Sequence, residues 1–229
     1  NKPMHSLESI FRVWMPQTAA DHDARLRILQ NLEDKFPKIA WKICISQFGT
    51  GHETGDYSHK PRWRNDAYGF GEPFKNWEPI NKFRREAIEM ALNWKKGHER
   101  DMLCDLIPRL SSMSEEHQAK VWTLVNSWAS ADTPNTDKAL LREKIRVTIM
   151  SRRRARLSKE NTSAKLLQMA KVAYQALEPS DLLCKHEWLF RETWVEESAD
   201  ELHDDDMDFE KREERITKLR IEALREIFK

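Results

Sequence analysis

Glycine is almost confined to one stretch of this chain, and that distribution constrains the fold more than any other feature. Five of the six glycines in 229 residues lie between Gly49 and Gly71. On both sides of this stretch, apolar residues recur at intervals of three and four, the spacing of one helix face. Alternating runs of Val, Ile and Thr, which are typical of strands, are almost absent. The chain is therefore predicted to be all-α, with one long glycine-rich loop at 49–77.

Apolar stripes and helix-stop residues divide the rest of the chain into about ten helices. Helix pairs return about every 35–50 residues, which is the length scale of HEAT-like and tetratricopeptide-like arrays. We therefore expect an irregular helical-repeat array over 1–196, an acidic linker at 197–206 and a charged amphipathic helix at 207–229. A compact helical bundle is the competing architecture. The short joint around Pro37 predicts a hairpin of two helices.

The composition indicates a protein with a buried core and no dominant charge. The 39 basic and 38 acidic residues give a formal net charge of +1, whereas nucleic-acid binding as a main task usually needs a clearer basic excess. No apolar run approaches the ~20 residues of a membrane span. Cys44, Cys104 and Cys184 form no CxxC pair, so we expect reduced thiols in the core and a cytoplasmic location.

The glycine-rich loop does not match a known phosphate-binding or metal-binding pattern. It contains neither GxxxxGK[ST] nor an intact GxGxxG. His52, Glu53, Asp56 and His59 are zinc-ligand types, but they fall in a flexible run without HExxH spacing. The acidic string HDDDMDFE at 203–210 lacks the glycine at the sixth position of a calcium loop. We therefore predict no cofactor and no metal site.

Two basic clusters are the candidate partner-binding residues: Lys60, Arg62, Trp63 and Arg64 in the loop, and Arg152, Arg153 and Arg154 in the string SRRRAR at 151–156. Cations that alternate around an aromatic ring can clamp a phosphate and stack a base. Nucleic-acid binding through these residues is thus an alternative function, and it predicts affinity that falls steeply with salt. In the other interpretation, Trp63 anchors the loop against the helices and the arginines complement a helix C-terminus.

No nucleophile lies in a GxSxG elbow or another recognisable catalytic frame. Amphipathic helices throughout the chain instead favour a non-enzymatic recognition or scaffold module, because helical arrays expose long surfaces on which many weak contacts add up. The expected partner is another protein or the rest of the same polypeptide. The sequence starts at Asn1, in what reads as the middle of a longer polypeptide, so we expect a domain fragment.

Four strings together resemble a helical region of very large bacterial proteins associated with defence against phage: NKPMHSLESIFRVWMPQT, FPKIAWKICISQF, HKPRWR and LEPSDLLCKHEWLF. Those proteins carry STAND nucleotide-hydrolase or sirtuin-like effector modules. The resemblance covers 1–64 best and returns near 177–190. It implies a helical sensor or scaffold whose effector lies elsewhere, and it implies no catalytic residue in this chain.

Overall fold

The computed structural model of the protein is all-α, as the sequence predicts. It describes residues 2–15, 18, 20–49, 76–129, 132–151, 164–192, 195 and 209–229. Ten α-helices and no β-strand lie within these ranges. Of the predicted loop at 49–77, only Gly49, Asn76 and Trp77 are described, and the predicted acidic linker at 197–206 lies outside the described residues.

The α-helices, in chain order, are α1 (Lys2–Phe11), α2 (His22–Lys35), α3 (Pro37–Ser46), α4 (Glu78–Leu92), α5 (Arg100–Leu106), α6 (Glu115–Trp128), α7 (Asn135–Ile145), α8 (Ala164–Ala176), α9 (Leu182–His186) and α10 (Phe209–Ile227). Two 3₁₀-helices (Ile107–Ser112 and Glu187–Leu189) and one π-helical turn (Arg146–Met150) extend α5, α9 and α7. The chain divides into two compact units, Asn1–Gly97 and His98–Lys229.

The hairpin predicted at Pro37 is the centre of the first unit. Phe36 N–H donates to the Leu32 carbonyl at 2.7 Å and closes α2. Pro37 then takes the first position of α3, where its missing N–H costs nothing because that group has no helical partner. The two helices pack against each other, and α4 packs against both.

Buried apolar side chains from α2, α3 and α4 form the core of this unit, and they include Leu29, Ile43, Phe83 and Ala87. The Trp41 and Trp94 rings meet edge to face, with 5.1 Å between their centroids. Trp94 is buried although α4 ends at Leu92, two residues earlier. A turn follows the helix, in which Gly97 N–H donates to the Trp94 carbonyl at 3.0 Å.

In the second unit, local chemistry sets where the helices begin and end. The Ser114 hydroxyl accepts from His117 N–H at 3.3 Å, so Ser114 is the N-cap of α6. Pro108 lies in the 3₁₀-helix that follows α5, because proline cannot supply the N–H that an α-helix needs there. Helix α7 ends at Ile145 and continues as the π-helical turn Arg146–Met150.

Helix α7 packs against α5, α8 and α9, so it joins the helices of the second unit. The unit's core is apolar, and its fully covered side chains come from α5 to α8 and the two 3₁₀-helices: Leu103, Leu106, Ile107, Leu110, Val121, Val125, Leu141, Ile145, Leu166, Ala170, Ala173 and Leu189. Each unit thus has a core of its own. The arrangement of all helices as one repeat array stays a prediction.

Candidate partner-binding surface

The residues that the sequence singles out for partner binding cannot be placed. Lys60, Arg62, Trp63 and Arg64 lie outside the described residues, and so do Arg152, Arg153 and Arg154. The structure does describe the backbone that leads to the second cluster, where Ser151 is buried directly after the π-helical turn. The potential zinc ligands also lie outside the described residues: His52, Glu53, Asp56 and His59. In the described part of the chain, no three His, Cys, Asp or Glu side chains are grouped to hold a metal ion.

The three cysteines are free thiols in environments that disfavour the thiolate. Cys44 is fully buried, its Sγ–H donates to the Ala87 carbonyl at 3.2 Å, and burial raises its pKa. Burial, and then the charge of Asp101, raise the pKa of Cys104 to about 11. Burial and the neighbouring Asp181 also raise the pKa of Cys184. All three side chains are therefore protonated thiols at neutral pH. Cys44 lies in the core, whereas Cys104 and Cys184 are only partly buried.

A buried arginine ties the end of α7 to the short 3₁₀-helix after α9. Arg146 is 3% exposed and donates from Nε and Nη2 to the two carboxylate oxygens of Glu143, both at 2.7 Å. Its guanidinium carbon lies 4.5 Å from the centroid of the Trp188 ring. Two parallel charge-assisted hydrogen bonds and a cation–π contact fix this side chain in one position. The sequence pattern assigns no role to Arg146.

A second stacked arginine lies one helical turn earlier on α7. The Arg142 guanidinium carbon is 4.0 Å from the centroid of the Tyr174 ring, and Arg142 Nε–H donates to the Tyr174 carbonyl at 3.1 Å. Glu178 pairs with both Arg142 Nη2 at 3.6 Å and Lys185 at 3.1 Å. The slot between these side chains encloses about 10 Å³, which is room for about one water molecule. The cluster fastens α8 and α9 to α7 and leaves no space for a larger ligand.

A wider groove of about 320 Å³ runs beside this cluster, and its lining is mixed in charge: Arg100, Asp101, Cys104, Leu140, Glu143, Lys144, Val147 and Arg191. Its arginines are already paired. Arg100 contacts Asp137 at 2.7 Å and Asp101 at 2.6 Å, and the hydrogen bond to Asp101 contributes most to raising the pKa of Arg100. Arg191 contacts Glu187 at 2.9 Å. An anion entering this groove has to compete with these carboxylates.

Helix α10 is attached to the second unit along one face. Ile216 and Ala223 are buried, and Arg220 donates from Nε to the Leu189 carbonyl at 2.8 Å and from Nη2 to the Glu192 carbonyl at 3.1 Å. Near the end of the helix, Glu226 lies 2.8 Å from His186 Nε2 and 3.4 Å from Lys185 Nζ. The hydrogen bond from His186 is the largest cause that lowers the pKa of Glu226.

A different face of α10 carries a second apolar stripe that stays in solvent. Ile221, Leu224 and Phe228 are 45%, 42% and 82% exposed. Their spacing of three and four residues puts them on one side of the helix. A shallow groove of about 640 Å³ shares Ile221 with this stripe, and its lining residues all come from α10: Glu210, Glu213, Glu214, Thr217, Lys218, Ile221, Glu222 and Arg225.

The sequence predicts a charged amphipathic helix at 207–229, and α10 lies there, but the prediction does not separate its two apolar stripes. The signal was present, since Ile221, Leu224 and Phe228 follow helical spacing among charged residues. From the sequence alone, a helix with two apolar stripes cannot be distinguished from a helix with one broad hydrophobic face. Only the packing of α10 on α9 shows which stripe is covered and which one is free.

No protein-family model, curated protein or solved structure matches the chain. The resemblance to large phage-defence proteins therefore rests on the quoted strings and stays an expectation. Within the described ranges, none of the helices combines the length and the apolar character that crossing a membrane requires.

Proposed function

We propose that this chain is a non-enzymatic helical recognition and scaffold module that binds a protein partner through the exposed stripe of α10, Ile221, Leu224 and Phe228. The observation that carries the proposal is this stripe, which stays in solvent while another face of the same helix is docked. The resemblance to phage-defence proteins suggests a place within a larger cytoplasmic bacterial protein. In such a protein, this module recognises or positions the partner, and a separate domain carries out the catalysis.

The energetics of the stripe favour a protein partner. Fully burying an apolar side chain of this size contributes about 1.5–3 kcal/mol. Phe228 has the most area left to bury, since it is 82% exposed, whereas Ile221 and Leu224 are already about half covered. Side chains at spacings of three and four are the anchors by which two helices, or a helix and a groove, recognise each other.

The charges beside the stripe indicate the chemistry of the partner. Glu210, Glu213 and Glu214 line the groove on the N-terminal side of Ile221, and Leu224 and Phe228 follow toward the C-terminus of the chain. A partner helix with apolar anchors at one end and basic residues at the other matches this division. Complementary charge of this kind sets orientation and association rate more than affinity.

Site-specific photocrosslinking in bacterial cells tests the proposal. A photoreactive residue at position 224 is expected to capture one protein repeatedly, whereas the same residue at position 215, an exposed site on another side of α10, is not. The captured protein is then purified and titrated against the chain. We expect Leu224→Asp combined with Phe228→Asp to weaken binding by roughly tenfold or more, as the loss of anchor side chains does. Arg215→Ala is the matched control and should bind like the wild type.

Two outcomes contradict the proposal. If positions 224 and 215 capture the same proteins equally, or if the double variant keeps its affinity, then the stripe is not the binding surface. Reproducible hydrolysis of a nucleotide or a phosphodiester by the purified chain, abolished by one substitution, would rule out the non-enzymatic part.

A further inference from the structure

The tip of the α2–α3 hairpin exposes apolar side chains to solvent. Phe36, the single residue between the two helices, is 55% exposed, and Ile39 in the first turn of α3 is 38% exposed. The Phe36 carbonyl accepts from the Ile39 and Ala40 N–H groups, both at 3.0 Å, so the joint and the first turn of α3 are held together. Two large apolar side chains are therefore exposed at a position that local hydrogen bonds fix.

Three exposed lysines lie beside these apolar side chains. Lys35 ends α2 and directly precedes Phe36. Lys38 and Lys42 are four residues apart and share one side of α3, and Ile39 joins them because it lies three residues before Lys42. We call these five residues the hairpin surface: Lys35, Phe36, Lys38, Ile39 and Lys42.

The described part of the chain leaves the positive charge of the hairpin surface without a counter-charge. From Lys35 to Gly49, the sequence contains no acidic residue. The two acids that precede Lys35 are engaged elsewhere: Glu33 accepts from the Lys95 N–H at 2.8 Å, and Asp34 pairs with the Lys95 ammonium at 2.6 Å. Among the described residues, no carboxylate forms an ion pair with any of the three lysines of this surface.

The helix dipole adds to this charge. Lys38 lies in the first turn of α3, which contains no acidic residue, although the partial positive charge of a helix N-terminus favours acidic side chains there. The first unit has the same sign as a whole, since residues 1–97 contain 16 Lys and Arg but only 12 Asp and Glu. A negatively charged partner would remove the electrostatic cost of these lysines.

We propose that the hairpin surface binds an acidic amphipathic segment of another protein. Its carboxylates face Lys35, Lys38 and Lys42, and its apolar side chains cover Phe36 and Ile39. Apolar anchors provide the affinity in such recognition, and complementary charge sets orientation and association rate. This surface belongs to the first unit, so its assignment does not depend on the stripe of α10.

The apolar side chains favour a protein over other negatively charged partners. Single-stranded nucleic acids stack their bases on aromatic rings, and the branched aliphatic side chain of Ile39 offers no such face. Ile28 is aliphatic too, is 46% exposed, and lies on the side of α2 that carries Lys35 seven residues later. Three lysines are also fewer than the about four to eight basic residues that are typical of binding to anionic lipids.

Selection from a displayed library of acidic amphipathic peptides tests the proposal, with the full chain as the target. The peptides carry leucine at spacings of three and four and glutamate at most other positions, and a library with lysine in place of glutamate is the reference. We expect binders from the acidic library only. Their affinity is then measured by fluorescence polarisation at physiological ionic strength, where charges more than about 8 Å apart are largely screened from each other.

Reversing the charge of the hairpin surface should reduce this affinity. Lys38→Glu combined with Lys42→Glu should weaken the binding of a selected acidic peptide by roughly tenfold or more, because like charges across an interface repel. Arg27→Glu combined with Arg85→Glu is the matched control. It reverses the same number of exposed charges in the first unit, away from the hairpin surface, and should bind like the wild type.

Removing an apolar anchor should have a similar effect. Phe36→Ser should weaken peptide binding by roughly tenfold, and Ile39→Ser takes its place if Phe36→Ser lowers the thermal unfolding midpoint. Leu224→Asp combined with Phe228→Asp should leave the affinity unchanged, because the α10 stripe belongs to the other unit. A failure of this proposal and a failure of the proposed function are thus observed separately.

The proposal fails if the acidic library gives no more binders than the lysine library. It also fails if a selected peptide binds the Lys38→Glu, Lys42→Glu variant as tightly as the wild type. Two further probes represent the other partners: a single-stranded DNA oligonucleotide, and vesicles of phosphatidylserine and phosphatidylcholine. If either probe binds the wild type more tightly than the selected peptide does, and the lysine variant loses that binding, the surface belongs to a nucleic acid or a membrane and the proposal is overturned.

Discussion

Gly97 holds the one positive φ angle of the described residues, at 76°. A Cβ built at this position would meet no atom within 4 Å, so space does not explain why glycine is needed. The backbone conformation does, because side chains other than glycine are disfavoured in the left-handed region. This residue-level constraint lies at the end of the first unit, in the turn after Trp94.

Replacing Gly97 by alanine should therefore destabilise the protein by about 1 kcal/mol. Gly49→Ala provides a matched control, since its added Cβ also meets open space and its φ is not positive. That control should be neutral or slightly stabilising, because alanine restricts the unfolded chain. Urea unfolding measured for both variants checks the difference, and equal stabilities would contradict the assignment of strain to Gly97.

Two buried arginines show how differently one residue type can be accommodated. Arg146 has both oxygens of Glu143 and the ring of Trp188, so its charge is balanced within the chain. Arg25 is equally buried but has only a carbonyl and a ring nitrogen nearby. Arg146 Nη1 is nevertheless buried without a hydrogen-bond partner in the described structure.

Among the elements, α10 is the helix whose two sides have the most distinct roles. One side is attached through Arg220 and Glu226, and another presents Ile221, Leu224 and Phe228 to solvent. The attachment also depends on pH. The pKa of Glu226 is lower in the folded protein than in the unfolded chain, so its stabilising contribution is present above the unfolded pKa. It is lost as the pH falls through the lower, folded value.

The substitution Arg220→Met should loosen α10 without unfolding the rest of the second unit. It removes two hydrogen bonds to the Leu189 and Glu192 carbonyls, each of which contributes about 1 kcal/mol. Amide hydrogen exchange in 209–229 should accelerate by roughly tenfold or more, whereas exchange in α8 stays unchanged. Arg215→Met removes an exposed arginine from the same helix and serves as the control. Equal protection of α10 in the two variants would show that Arg220 does not hold the helix.

At the scale of the whole molecule, the chain consists of two compact units that meet in sequence between Gly97 and His98. Each unit contains its own buried apolar core, which is the condition for independent folding. The second unit includes α10, so the C-terminal helix belongs to a core and is not an isolated appendage.

Residues 98–229, expressed alone, should fold and unfold in one cooperative thermal transition. A fragment that starts at residue 132 removes α5 and α6, and with them the contacts to α7 and α8, so it should lose that cooperativity. Circular dichroism followed during heating distinguishes the two. A non-cooperative transition in both fragments would mean that the second unit needs the first in order to fold.

Much of the fold could be predicted from local sequence, because helix starts and stops depend on chemistry within a few residues. Pro37 opens α3, and Ser114 caps α6. Local sequence does not predict the end of a helix where a contact with a residue distant in sequence determines it. Trp94 continues the apolar stripe of α4, yet it is buried against Trp41 after the helix has ended.

The candidate sites were beyond sequence reasoning for a different reason. Local patterns directed attention to clusters such as Lys60–Arg64, which are conspicuous because their charges are adjacent in the chain. Arg25 is inconspicuous in sequence, since an arginine on a helix is normally solvated. Its burial depends on the packing of the first unit, and no local pattern encodes that enclosure.

By itself, the sequence determined that this protein is helical, where most of its helices begin and which stripes are apolar, because spacing and capping are properties of neighbouring residues. The tertiary structure alone decided which apolar stripe of α10 is covered, which arginines find a carboxylate, and where the chain divides into two units. Those outcomes depend on contacts between residues far apart in sequence, and burial, unlike periodicity, exists only after the chain has packed.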